Sequence, residues 1–109
     1  MEKGDLTGSF VIPHSHPSIA GHFPGHPIVP GVILLAEVER LLKANYRGIE
    51  ILKVVQAKFN QPVLPEQSVR IALDVVGAKS QGQLKANFKL FTEADLLAAS
   101  GQFLLERKG

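Results

Sequence analysis

Between His14 and Pro30 the chain carries Pro17, Gly21, Pro24, Gly25, Pro27 and Pro30. Proline lacks a backbone donor and glycine favours turns, so no helix or strand can run through this stretch. A loop of this length inside a short chain is uncommon and usually carries function. The next segment is as constraining. Val32-Ile33-Leu34-Leu35-Ala36 is apolar on every helical face, and a helix of that kind is expected to be buried all round. The chain therefore places a functional loop directly before a buried helix.

The helix is expected to begin at Pro30-Gly31, since proline suits the first turn, where its missing N–H has no partner anyway. It runs through Val32 to Asn45 on Leu34, Leu35, Ala36, Glu37, Glu39, Leu41, Leu42 and Lys43, and Gly48 marks its end. The period then changes from 3.6 to 2. Ile49 to Phe59 reads as a strand rich in β-branched residues. Val69 to Val76 alternates Val69, Ile71, Leu73 and Val75 against Arg70, Ala72 and Asp74. Leu84 to Phe91 alternates Leu84, Ala86, Phe88 and Leu90 against Lys85, Asn87 and Lys89. A last strand spans Leu96 to Arg107, broken by Gly101, and an N-terminal strand covers residues 7–13, ended by Pro13. Strands so spaced, with short turns between them, form an antiparallel sheet. The sum is one α+β domain over residues 1–109, with the sheet wrapped around a single helix.

Composition narrows the chemistry. The 109 residues hold no cysteine, which excludes disulfides, a thiolate nucleophile and cysteine-ligated zinc. The net charge of +2 forms no basic stripe, so nucleic acid is a poor partner. His22 and His26 are four apart, a metal-binding spacing only on a helix, which Pro24 and Pro27 forbid; no metal is expected. The start of the chain lacks the apolar run of a signal peptide, and the longest apolar stretch is too short to cross a bilayer. The expectation is a soluble, cytoplasmic protein. Phe59, Phe88, Phe91 and Phe103 are expected in the core or at a contact between subunits.

Gly21-His22-Phe23-Pro24-Gly25-His26-Pro27-Ile28-Val29-Pro30-Gly31-Val32 resembles the signature loop and helix start of the 3-hydroxyacyl-ACP dehydratases. Ala57-Lys58-Phe59-Asn60-Gln61-Pro62-Val63-Leu64-Pro65 resembles the strand and turn after that family's helix. The resemblance implies a hotdog fold, an antiparallel sheet around one long helix, and elimination of water from a 3-hydroxyacyl thioester in fatty-acid or related acyl-chain synthesis. It implies His22 as the base and the Gly31 N–H, with that of Val32, as donors to the thioester carbonyl. Phe23, Pro30 and Val32 would line the substrate site. No cofactor is implied beyond the substrate's own phosphopantetheine, on acyl carrier protein or coenzyme A. The implied assembly is a homodimer or a higher oligomer, with the sites at the subunit boundary.

One position departs from the pattern. The family carries Glu or Asp fourteen residues after the histidine, and here that residue is Ala36. Glu37 is its neighbour, but one residue is about 100° of helical rotation. Three readings stay open: Glu37 acts as the acid, His22 acts as both base and acid, or the site binds acyl thioesters without dehydrating them. Acyl thioester hydrolysis is the rival reaction, and it too would require a carboxylate or a positioned water.

Overall fold

The computed structural model describes residues 4–17, 28–78 and 80–108. Its elements run β1 (Gly4–Val11), α1 (Gly31–Asn45), β2 (Ile49–Phe59), β3 (Ser68–Gly77), β4 (Gln83–Phe91) and β5 (Leu97–Arg107). The strands form one antiparallel sheet in the order β1-β3-β4-β5-β2. This is the five-strand, one-helix arrangement expected of a hotdog.

The alternation in β3 and β4 decides which face is inside. Val69, Ile71, Leu73 and Val75 are buried, as are Ala86, Phe88 and Leu90. Phe103 and Leu105 of β5 continue the layer, and the Phe88 and Phe103 rings sit 5.3 Å apart between centroids. The helix lays Leu34, Val38 and Leu42 onto this surface, residues spaced four apart on one face. Leu41 packs over Gly8 of β1, where an added Cβ would stand 3.1 Å from a Leu41 methyl.

Three expectations need correction. β1 starts at Gly4 rather than Thr7, because its pairing with β3 extends to Gly4↔Val75. Long-range pairing holds a Gly-Asp start that local propensity would leave out. β5 is continuous through Gly101, which stays paired with both Phe88 and Ala57. Glycine is required there for room: an added Cβ would overlap the Gln56 carbonyl oxygen and stand 2.6 Å from the Phe88 ring. Finally, the first turns of α1 are not buried on every side. Val32 is 70% exposed and Ala36 is exposed, because the chain's own sheet covers only the side carrying Leu34, Val38 and Leu42.

The helix ends as expected, with the Tyr46 N–H on the Leu42 carbonyl and Gly48 in the left-handed region at φ 68°. The chain after β1 is tied to the turn before β3: the Glu66 N–H donates to the Ile12 carbonyl at 2.8 Å, and the His14 N–H donates to Glu66 Oε2 at 2.9 Å.

Gly101→Ala is expected to lower the unfolding free energy by about 1–3 kcal/mol, the usual cost of overpacking a filled site. The midpoint of urea denaturation measures it. An unchanged midpoint would mean that β5 and β2 separate freely at this point.

Candidate active site

The helix enters from a short, fixed segment. The buried Val29 donates its N–H to the Val63 carbonyl at 2.8 Å. The N–H groups of Asn60 and Gln61 both donate to the Ala98 carbonyl, at 2.7 and 3.2 Å. These bonds hold the 60–63 turn beside the helix start.

Pro30 is the N-cap, extended at φ −61° and ψ 146°, and no side chain caps the helix. Its carbonyl accepts from the Ile33 N–H at 3.0 Å and the Leu34 N–H at 3.3 Å. The first helical N–H groups, those of Gly31 and Val32, are left without a capping group among the described residues. No acidic residue stands in the first turn, so the positive end of the helix dipole is not neutralised from within. The sequence therefore leaves a helix terminus suited to a developing negative charge.

Phe59 covers the other side of the same glycine. A Cβ at Gly31 would lie 2.8, 3.0 and 3.2 Å from three atoms of the Phe59 ring. The ring is itself 51% exposed. It forms one wall of a groove of about 330 Å³ whose other walls include Ile28, Pro30, Gly31, Leu34 and Pro62. The space beside the glycine on its Cβ side is thus taken by an aromatic ring.

The expected site residues divide into three groups. Pro30, Gly31 and Val32 come together at the helix start, with Val32 on the open face. Ala36 stands one turn further along that open face. Glu37 does not share it: its side chain is only 12% exposed, and Oε2 lies 3.2 Å from an Arg40 guanidinium nitrogen. His22 and Phe23 lie outside the described residues. Among the described residues, no three His, Cys, Asp or Glu side chains gather as a metal-binding group. Phe59 joins the site although the sequence alone points only to a core or subunit contact. Its signal is its place at the end of β2, where the strand returns to the helix start.

A family model described as ApeI-like, the ApeI dehydratases, matches residues 1–102. The chain belongs to the ApeI-like dehydratases. A 3-hydroxyacyl-[acyl-carrier-protein] dehydratase of Hydrogenobaculum is 32% identical to it, over 92% of this chain and 78% of the relative. A second such dehydratase, of Legionella pneumophila, is 33% identical over 73% of this chain and 64% of its own length. Among solved structures, an (R)-hydratase from A. caviae involved in PHA biosynthesis superposes with a TM-score of 0.83 at 18% identity, covering 96% and 95% of the two chains. The dehydratase heterocomplex ApeI:P from Xenorhabdus doucetiae superposes at 0.73 and 18% identity, covering 98% and 96%. At such identities the superpositions establish the hotdog fold. The family establishes the reaction class: this dehydratase is a hydro-lyase that removes water from 3-hydroxyacyl groups. No helix among the described residues is long and apolar enough to cross a membrane.

The contact between Phe59 and Gly31 makes one substitution change sign with its background. In the native background Gly31→Ala is expected to destabilise by about 1–3 kcal/mol, because the methyl meets the ring. In a Phe59→Ala background the same change is expected to be neutral or stabilising, since alanine is the better helix former. A double-mutant cycle by chemical denaturation reads both values. Equal costs in the two backgrounds would remove the ring from the account.

Proposed function

We propose that the dehydratase holds the thioester carbonyl of its substrate on the Gly31 and Val32 N–H groups, with the acyl chain against the apolar groove beside Phe59. The observation that carries this reading is the uncapped helix start opening beside that groove. Donors aimed at developing charge in a site shielded from water are usually the largest contribution to such catalysis.

His22 takes the proton from the carbon next to the carbonyl. The electron pair moves onto the thioester oxygen, where the two amides receive it. As the pair returns, the carbon–carbon double bond forms and the 3-hydroxyl leaves with the proton that His22 now carries. One imidazole thus serves as base and then as acid, and ends unchanged. Two observations support this over an acid role for Glu37: Ala36 occupies the open helix face, and the Glu37 carboxylate is paired with Arg40 off that face. A role in binding acyl thioesters without turnover rests on Ala36 alone.

The apolar surface left open supports a homodimer. Val32 on the helix and Leu52, Val54 and Val55 on the edge strand β2 are all exposed. An exposed apolar edge strand is a template for pairing with another chain. A second copy joined there would bring its own proline-rich loop to this helix, so that His22 of one copy serves the helix start of the other. Acyl carrier protein, or coenzyme A, would present the phosphopantetheine arm, and no metal or redox cofactor takes part.

Purified protein is supplied with a 3-hydroxyacyl thioester, and enoyl formation and thiol release are followed separately. His22→Ala is expected to lower kcat by about 10²–10⁴-fold, the usual loss of a general acid–base group. Ala36→Glu is expected to raise kcat, and Glu37→Gln to leave it unchanged. Strong loss in Glu37→Gln would make that residue the acid. Thiol release without enoyl would make the protein a thioesterase. The pH profile gives an independent check. The neutral imidazole is the base, so kcat/KM is expected to rise with pH in a single step and then level off. A bell-shaped profile would reveal a second titrating group.

A further inference from the structure

The turn between β2 and β3 is tied to both ends of the proline-rich loop. At the start of the loop, the Glu66 N–H donates to the Ile12 carbonyl at 2.8 Å, and Glu66 Oε2 accepts from the His14 N–H at 2.9 Å. At its end, the Val29 N–H donates to the Val63 carbonyl at 2.8 Å. Ile12, Val29 and Val63 are buried, whereas Glu66 is exposed. His22 lies eight residues after His14 and seven before Val29, midway between the two ties.

Glu66 is an unexpected residue for its place. The Gln67 N–H returns to the Leu64 carbonyl at 3.3 Å, so residues 64–67 form a β-turn with Pro65 and Glu66 at its centre. Glu66 stands in the left-handed region at φ 71°. A turn with proline second and a positive φ third favours glycine at that third position. A larger residue there strains the backbone, and such strain points to a role for the side chain that bears it. The bonds to Ile12 and Val29 use backbone atoms only and survive any side chain at position 66 except proline. Only the bond to the His14 N–H needs the carboxylate.

That bond is also the one nearest the loop. The His16 N–H closes a turn on the Pro13 carbonyl at 3.0 Å, with His14 in its second position. The carboxylate therefore holds the turn by which the chain leaves the sheet. We propose that Glu66 is a positioning residue for the dehydration: it fixes the root of the loop that carries His22, and so the reach of the imidazole. This rests on His22 as the base assigned above. Glu66 itself touches neither the helix start nor the groove beside Phe59.

The test is turnover of a 3-hydroxyacyl thioester by purified variants, with the melting midpoint read by circular dichroism. Glu66→Gly relieves the backbone and removes only the anchor. It is expected to keep or raise the midpoint while lowering kcat about tenfold, the kind of loss that misplacing a reacting group causes. KM is expected to stay unchanged, since the donors and the groove are untouched. Glu66→Gln keeps an oxygen acceptor and is expected to recover most of that kcat. His14→Pro removes the same bond from the donor side, at a turn position that favours proline, and is expected to lower kcat equally. Combining it with Glu66→Gly is expected to cause no further loss, because one bond is lost only once. His22→Ala, assayed alongside, separates this proposal from the base assignment. If His22→Ala abolishes turnover while Glu66→Gly leaves kcat unchanged, the base stands and the anchor is overturned. If His22→Ala leaves turnover intact, the base assignment falls and the positioning role falls with it. Additive losses in the double variant, or no recovery in Glu66→Gln, also overturn the proposal.

Discussion

Leu34, Val38 and Leu42 seat the helix on the sheet, and that one packing decision fixes the geometry of everything else. It sets the axis along which α1 points, and therefore where its first N–H groups emerge. It also fixes which face is left open. A sheet of five strands covers one side of a 15-residue helix; Val32 and Ala36 fall on the other. The same packing draws the end of β2 back to the helix start, where Phe59 fills the space that a side chain at residue 31 would need.

The helix start is a case of one residue meeting two demands. Gly31 must lack a Cβ because an aromatic ring occupies its place, and its N–H must lack a partner if charge is to be received there. Pro30 serves the second demand from the other side. It brings no N–H of its own and no side-chain oxygen to cap the turn, while its carbonyl takes up the Ile33 and Leu34 donors. A serine or aspartate at the cap would stabilise the helix by about 1 kcal/mol, and would also occupy the donors that a thioester oxygen needs.

Much of this was legible in the sequence because it is local. The period-2 runs of Val69–Val75 and Leu84–Leu90 name the buried face directly, and Pro30-Gly31 and Gly48 bracket the helix. The features that escaped it depend on partners far along the chain. Gly101 looks like a strand breaker until Phe88 and the Gln56 carbonyl are seen to occupy its Cβ position. Val32 to Ala36 looks buried on all sides because apolar character says only that a surface seeks cover, not that one chain supplies it. The resemblance located His22, yet that residue and Phe23 fall outside the described residues. Their part in the site rests on the family pattern and not on their geometry.

Ala36 bears on mechanism through proton accounting. Elimination needs one proton removed from C2 and one delivered to the oxygen on C3, so nothing in the balance demands two separate groups. The two atoms sit on adjacent carbons. A single imidazole can serve both if the carbonyl is held firmly enough that neither atom drifts out of hydrogen-bond reach. In the proposed site, anchoring the carbonyl on two backbone amides of a packed helix would supply that firmness, since the N–H groups move only if α1 moves. A carboxylate on the open face would instead separate the two proton transfers and relax the demand on orientation. Under the proposed mechanism, alanine at position 36 would therefore shift the burden from chemistry to positioning, onto the Gly31 and Val32 amides and the apolar wall beside them.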